Sequence, residues 1–207
     1  ALEKVIEAHG YPKPFETHAS FYALIDFDNQ DNTSQDDALK LYSECADKKL
    51  VLDGVMSESI AQSQNMWKLR EDISETLWHY QPYKNDLSVR ISKMPKFLDE
   101  VGSFIKKSYP NFEVIWYGHI GDGNLHLNIL KPAALDKSEF KSLCDDISMN
   151  LGQLVESYDG SISAEHGVGI LKRDYLKFSK SSGEISLMAE VKKVFDPKGI
   201  LNPGKLL

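Results

Sequence analysis

The segment 117–128, Tyr-Gly-His-Ile-Gly-Asp-Gly-Asn-Leu-His-Leu-Asn, places two histidines and an asparagine around a glycine-rich turn. An apolar run precedes the turn and predicts a buried strand. Residues 125–130 alternate between apolar and polar types, as a half-buried strand does. His126 and Asn128 would then share one face, and His119 would lie where the first strand ends, across the hairpin. We therefore expect this hairpin to carry a functional site.

A second polar cluster lies in the segment 161–169, where Glu165 and His166 are surrounded by small residues that let the backbone approach a ligand. Two histidines and one carboxylate commonly bind a divalent ion that keeps coordination positions open for substrate. The metal candidates are His119, His126 and Glu165. A lone histidine is more often a core or turn residue, but two of them in this glycine-rich setting favour a site.

These residues support two chemistries. In the first, a metal polarises a substrate oxygen while the imidazole of His166 takes a proton as general base. In the second, a metal-bound hydroxide hydrolyses the substrate. Neither Gly121-Asp-Gly123 nor Gly167-Val-Gly169 has the spacing of a nucleotide-binding fingerprint, so both segments are interpreted as turns that serve the site.

Cationic side chains elsewhere could bind an anionic substrate. Arg70 and Ser74 are four residues apart in a predicted amphipathic helix, 58–80, and together could bind a carboxylate. Spacing alone favours the alternative, a surface arginine paired with a neighbouring acid. Lys84 lies in a predicted loop ahead of a strand, and is either a second anion anchor or a solvated side chain.

Composition narrows the class of protein. The chain has 207 residues, 42% of them apolar, and a formal net charge of −7, which suits a globular domain and argues against a nucleic-acid partner. No apolar run is long enough for a transmembrane helix, and the charged N-terminus does not resemble a secretory signal, so we expect a cytoplasmic protein. Cys45 and Cys144 lack a paired motif and are expected to be reduced.

The order of predicted elements favours an α+β fold with a mainly antiparallel sheet and helices packed on it. No repeat and no convincing domain boundary is evident. A helical pattern starts at once from Ala1, so we expect the chain to be part of a longer product. Strands are predicted at 21–27, 50–56, 86–92, 114–117 and 125–130. Helices are predicted at 34–48, 58–80, 95–107, 135–158 and 184–195, with a polar loop at 28–37.

Five ordered motifs carry a resemblance to a known family: Trp67–Glu71, Pro82–Ser88, Gly118–Asn128, Ser163–Gly169 followed by Lys172–Asp174, and Phe195–Lys205. With them, the chain resembles the C-terminal substrate (cap) domain of the FAD-linked D-2-hydroxyacid dehydrogenases in the vanillyl-alcohol oxidase flavoprotein superfamily. The nearest branch acts on D-2-hydroxyglutarate. The likeness covers nearly all of residues 1–207 and implies an α+β domain with ferredoxin-like elements.

The resemblance also implies roles for individual residues. His119, His126 and Glu165 match the metal ligands, usually of zinc, and His166 matches the catalytic base. The matching substrate-binding positions are Arg70, Ser74, Lys84 and Asn128, and Asn202 matches a position that approaches the flavin. The family passes a hydride from the C2 alcohol of a D-2-hydroxyacid to FAD.

The family's FAD-binding domain precedes this region and is not within residues 1–207, so the chain alone is expected to bind metal but not to turn over. The resemblance implies an electron-transfer flavoprotein or a quinone as electron acceptor, and leaves the oligomeric state open, a homodimer included. Two alternatives remain. One is a dehydrogenase for D-lactate or another D-hydroxyacid, and the other is a stand-alone metal-binding module without redox activity.

Overall fold

A computed structural model describes residues 1–27 and 33–207. These residues divide into two compact units, Ala1–His79 and Tyr80–Leu207. The predicted polar loop 28–37 falls partly, at residues 28–32, outside the described residues.

The described residues form seven α-helices and three β-strands, which confirms the predicted α+β class. The helices are α1 (Leu2–His9), α2 (Ser34–Asp47), α3 (Ile60–Glu71), α4 (Ile73–Trp78), α5 (Met94–Ser108), α6 (Lys137–Ser157) and α7 (Ser182–Phe195). The strands are β1 (Tyr83–Ser88), β2 (Glu113–His119) and β3 (Asn124–Leu130), with 3₁₀ turns at Ile91–Lys93 and Arg173–Phe178.

In the first unit, the two predicted strands are wrong. Residues 21–27 and 50–56 pair with no strand within the described part of the chain. In the first of these segments, Phe21 and Ile25 are 72% and 62% exposed, so its β-prone side chains have no sheet to pack on. Strand propensity reflects packing against neighbouring strands more than an intrinsic backbone preference, and an apolar run alone therefore overpredicts strands.

The predicted helix 58–80 is interrupted at Asp72, which separates α3 from α4. The carboxylate of Asp72 accepts a hydrogen bond from the Tyr11 hydroxyl at 2.7 Å, within the same unit. None of the residues of α3 is buried, so the predicted amphipathic face is wrong for this half. Arg70 and Ser74 lie on opposite sides of the break, and the argument that they share a face of one helix no longer holds. The helical region does end before Pro82, as predicted.

The second unit is built on an antiparallel sheet in the order β1-β3-β2. The predicted hairpin is confirmed, because β2 and β3 pair directly and β2 ends at His119. The first strand of the sheet runs over Tyr83–Ser88 and not over 86–92, since residues 91–93 form a 3₁₀ turn. This shift moves Lys84 from the predicted loop into β1.

The core of this unit lies between the sheet and two helices. From β3, Leu127 and Ile129 are fully buried against Phe97 of α5 and Ile147 of α6. Both helices have clear start signals: Pro95 lies in the first turn of α5, and the Asp136 side chain accepts the amides of the first turn of α6 at 2.8 Å. The helices therefore fix the position of the central strand.

The two cysteines are free thiols, as predicted. Cys144 is fully buried on α6, and this burial raises the pKa of its thiol to about 12. A thiol in such an environment is a poor nucleophile, which agrees with the absence of a predicted catalytic role.

Candidate metal and active site

The strand register brings polar residues of three strands to one face of the sheet. His126 of β3 pairs with Asp86 of β1 and with Tyr117 of β2. Asn128 pairs with Lys84. Because directly paired residues point to the same side of a sheet, these side chains share the face opposite the helical core. Both His126 and Asn128 are buried, so the prediction of a half-buried strand underestimates the burial of the polar face.

The segment that contains Glu165 and His166 is held against β1 by backbone contacts. Ser161 and Ser88 exchange two backbone hydrogen bonds of 2.9 Å. The amides of Glu165 and His166 then donate to Asp86 Oδ2 at 3.1 and 3.2 Å. This irregular segment is distant from the hairpin in sequence, but these hydrogen bonds hold it beside the sheet.

The glutamate and the three histidines meet in one cluster. Glu165 Oε1 lies 3.5 Å from His126 Nε2 and 3.3 Å from His166 Nε2. The other oxygen, Oε2, lies 3.8 Å from His119 Nδ1. The histidine and glutamate side chains predicted as metal ligands and base are therefore brought together around one carboxylate.

Asp86 belongs to the same cluster, although the sequence alone does not single it out as a site residue. Its Oδ1 lies 3.2 Å from His126 Nδ1, and its Oδ2 lies 3.8 Å from His166 Nδ1. Ligand atoms of Asp86, His126, Glu165 and His166 all lie within 4.8 Å of one another. This group overlaps with the predicted triad but contains Asp86 and His166 in place of His119. The pairing of Asp86 with His126 across the sheet is the signal for its role. The predicted strand 86–92 hides this pairing, because the strand in fact runs over Tyr83–Ser88.

Burial and nearby donors set the charge states of two residues in the cluster. For His126, burial lowers the pKa, and the attraction of Asp86 and Glu165 does not offset it. This imidazole is therefore neutral at pH 7, and its 3.2 Å approach to Asp86 is not an ion pair. For Asp86, burial raises the pKa, but backbone amides and nearby Lys172 outweigh it, so the pKa is lowered and the carboxylate stays charged.

The donor set fits a divalent metal ion. Neutral imidazole nitrogens and carboxylate oxygens are ordinary ligands of zinc, iron and manganese. Within the described residues, Asp86 Oδ1 and Asn128 Oδ1 are buried without a well-directed hydrogen bond. Buried polar atoms that lack a partner mark places where an ion, a water or a ligand completes the site.

Comparison with known proteins identifies the family of this chain. The family model for the C-terminal domain of FAD-linked oxidases matches residues 1–206. The chain belongs to this family. The family resemblance inferred from the five motifs is therefore confirmed.

Curated relatives of this FAD-linked oxidase domain include D-2-hydroxyglutarate dehydrogenases. The enzyme of that name from Stutzerimonas stutzeri is 53% identical over 206 residues, which cover all of this chain and 44% of the relative. One from Xanthomonas citri is 47% identical over 206 residues, covering all of this chain and 43% of the relative. A mitochondrial one from Arabidopsis thaliana is 36% identical over 200 residues, covering 96% of this chain and 34% of the relative. The chain thus spans less than half the length of these relatives.

The residues predicted to bind substrate lie in both units of this FAD-linked oxidase domain. Asn128 is 1% exposed, and Lys84 is exposed two positions from Asp86 on the same strand face. Arg70 and Ser74 belong to the first unit, and their role stays a prediction.

Asn202, predicted to approach the flavin, lies exposed in a turn with φ of 45°. A single amide on a surface turn does not by itself make a flavin site. No helix of the described residues is long and apolar enough to cross a membrane.

Proposed function

We propose that this domain is the substrate- and metal-binding part of an FAD-dependent dehydrogenase that oxidises D-2-hydroxyglutarate, a D-2-hydroxyacid, to the 2-oxoacid. The observation that supports it most is the convergence of three histidines on the Glu165 carboxylate, beside Lys84 and Asn128 on the same sheet face. The relatives that carry the name D-2-hydroxyglutarate dehydrogenase support the same substrate.

In this proposal, His119, His126 and Glu165 hold a divalent metal ion, and the proposed ion is zinc. A bound zinc ion supplies a Lewis acid that polarises the hydroxyl and carboxylate oxygens of the substrate. The chain contributes the ligand geometry: His126 is buried and fixed by the sheet, whereas His119 and Glu165 are about half exposed and lie at the open side. This asymmetry leaves room for substrate at the exposed side of the cluster.

His166 is the proposed general base. Its side chain is 61% exposed, and its Nε2 points towards Glu165 while its Nδ1 points towards Asp86. Nε2 of His166 would accept the proton of the C2 hydroxyl, and the hydrogen on C2 would leave with its bonding electron pair as hydride, which gives the 2-oxoacid. The FAD of the complete protein, when bound, supplies the hydride acceptor.

The distal carboxylate of a dicarboxylate substrate needs a cation. Lys84 lies two residues from Asp86 on β1, about 7 Å along the strand and on the same face. Its ammonium group can form a charge-assisted bond with the distal carboxylate, and the Asn128 amide can bond the proximal end. Arg70 and Ser74 remain predicted additional anchors.

The remaining predictions concern the complete protein. We propose that FAD is held mainly by residues outside the chain described here, with Asn202 near the ring. An electron-transfer flavoprotein or a quinone reoxidises the flavin. A cytoplasmic location stays a proposal, since one of the relatives described above is mitochondrial. A homodimer is likewise a proposal.

An activity assay on the complete natural protein tests the proposal directly. Turnover of D-2-hydroxyglutarate and of D-lactate is measured with a dye acceptor, before and after metal chelation and after re-addition of zinc. We expect preferred turnover of D-2-hydroxyglutarate that is lost on chelation and restored by zinc. Preference for D-lactate would replace the substrate assignment. Metal binding without turnover of either acid in a flavin-loaded protein would favour a metal-binding module instead.

A Lys84→Ala variant tests the distal anchor. Loss of a charge-assisted bond of about 1.5 to 3 kcal/mol should raise KM for D-2-hydroxyglutarate by roughly tenfold or more. KM for D-lactate should change little, because D-lactate has no distal carboxylate. The exposed Lys106 provides the matched control as Lys106→Ala. An equal rise for both substrates would contradict the assigned role of Lys84.

A further inference from the structure

Asp86 combines deep burial with a central position in the cluster. Its side chain is 5% exposed, and it pairs with His126 across the β1-β3 ladder. Its two oxygens face different partners: Oδ2 accepts the amides of Glu165 and His166, and Oδ1 lies beside His126 Nδ1. One carboxylate therefore contacts both the hairpin and the segment that supplies the other site residues.

The position of Asp86 defines two sides of the imidazoles. The rings of His126 and His166 stack with their centroids 5.7 Å apart and an interplanar angle of 20°. Both rings direct Nδ1 towards Asp86 and Nε2 towards Glu165. Glu165, which would share a metal with an Nε2 atom, thus lies across the rings from Asp86.

The proton of the neutral His126 ring has two places to reside. Two carboxylates face the ring, because Asp86 Oδ1 lies 3.2 Å from Nδ1 and Glu165 Oε1 lies 3.5 Å from Nε2. The Asp86 side chain is 5% exposed, and its Oδ1 accepts no well-directed hydrogen bond among the described residues, whereas Glu165 is 45% exposed and can bond to water. A proton on Nδ1 gives this buried oxygen its nearest donor, which a small rotation of the ring would align, and leaves the Nε2 lone pair on the side of Glu165. The ring nitrogen that faces away from a metal commonly donates to such a carboxylate.

Lys172 holds the strand that carries Asp86. Its ammonium group donates to the carbonyl oxygens of Asp86 at 3.2 Å and of Ile162 at 2.9 Å. These bonds join β1 to the start of the segment that contains Glu165 and His166. The Asp86 carboxylate is therefore fixed through its own backbone as well as through the amides that it accepts.

We propose that Asp86 is a positioning residue and not a metal ligand: it keeps His126 in the Nδ1–H form, so that Nε2 is the ligand atom, and it places Glu165 and His166 beside that atom. The inference rests on the proposed metal site. It adds which histidine nitrogen binds and which residue determines this choice.

The test uses ¹⁵N-labelled full chain and long-range ¹H–¹⁵N correlation spectra of the histidine rings, first metal-free and then with Zn²⁺. We expect His126 to carry its proton on Nδ1 without metal, and Zn²⁺ to shift Nε2 while Nδ1 stays protonated. A metal-free Nε2–H form, or Zn²⁺ on Nδ1, would overturn the proposal. If Zn²⁺ shifts no ring nitrogen, the proposed metal site fails, and the metal-free spectrum still decides the role of Asp86.

Asp86→Asn sharpens the test, because an amide NH₂ facing Nδ1 requires that nitrogen to be the acceptor. The variant should show the Nε2–H form and bind Zn²⁺ about tenfold or more weakly. Asp145→Asn is the matched control, since Asp145 is a partly buried acid bonded to Tyr83 on the other face of the sheet. Weakened binding with an unchanged tautomer would identify Asp86 as a ligand and overturn the proposal. Should Asp86→Asn not fold, the spectra of the parent chain decide.

Discussion

The two faces of strand β3 are both buried, yet they are built differently. On one face Leu125, Leu127 and Ile129 pack into the core between the sheet and two helices. On the other face Asn124, His126 and Asn128 are equally inaccessible, with exposures of 3%, 8% and 1%. Apolar burial needs only close neighbours, whereas each buried polar group needs a bonding partner. A fully buried strand with one polar face therefore marks a place where bonding geometry, and not packing alone, has been specified.

The comparison separates stability from function. Substitutions on the apolar face should lower the free energy of unfolding and leave the intrinsic affinity for metal unchanged in the folded fraction. Substitutions on the polar face should weaken metal binding and change the free energy of unfolding little, because removal of an incompletely satisfied polar group costs little packing.

The largest effect is expected at Leu127, which is fully buried at the centre of the apolar face. Leu127→Ala should lower the free energy of unfolding by about 2 to 5 kcal/mol, through lost burial and the cavity that remains. Urea denaturation followed by circular dichroism measures it. Leu187→Ala, at a 60% exposed position of α7, is the control and should change stability little. A small loss at Leu127 would mean that the apolar face does not dominate stability.

On the polar face, Glu165→Gln should weaken Zn²⁺ binding on the order of a hundredfold, equivalent to about 2.8 kcal/mol. The amide keeps the shape of the side chain but loses the charge around which the three histidines converge. Calorimetric titration of the metal-free chain with Zn²⁺ measures the affinity. Glu156→Gln, at an exposed position of α6, controls for the change in net charge. Unchanged affinity in Glu165→Gln would exclude this carboxylate as a ligand.

The same two faces show what the sequence could predict. The hairpin and its histidines were predicted because alternation and a glycine-rich turn are local signals. Segments 21–27 and 50–56 have similar local composition but lack a partner strand in the described residues, and pairing is not a local property. At the break between α3 and α4, Asp72 accepts a hydrogen bond from Tyr11, a residue distant in sequence, and such a contact is likewise not a local property.

Asp86 was missed for a related reason. The apolar residues after it suggested a strand starting there, whereas the strand begins at Tyr83. A shift in strand bounds hides which polar residues face His126, since facing depends on register. The ligand types were predictable from sequence, but the residue that orients them required the cross-strand pairing.

A third prediction concerns the link between β1 and the segment that carries Glu165. Lys172→Met keeps the aliphatic stem but leaves two carbonyl oxygens without their donor, which should cost about 1 to 3 kcal/mol of stability. Zn²⁺ affinity should fall as well, because the same bonds hold the Glu165 segment against the strand. Urea denaturation and calorimetry measure the two effects, with Lys107→Met at an exposed position of α5 as control. Lost stability with full affinity would show that the segment is held independently of Lys172.

The smallest effect is expected where a polar group lies on the helical side of the sheet. Ser148 of α6 is buried, and its hydroxyl lies 3.2 Å from Asn85 Oδ1 and 3.4 Å from the Tyr83 hydroxyl. Ser148→Ala removes a neutral hydrogen bond and should lower the free energy of unfolding by about 0.5 to 1.5 kcal/mol, without affecting Zn²⁺ affinity. Urea denaturation and calorimetric titration measure both quantities.

Ser142→Ala, at an exposed position of the same helix, is the matched control for the Ser148 substitution. A drop in Zn²⁺ affinity in Ser148→Ala would break the separation of the two faces, because it would show that β1 transmits a change on the helical side to Asp86. Unchanged affinity, together with the expected small loss of stability, would show that neighbouring residues of one strand serve the two faces independently.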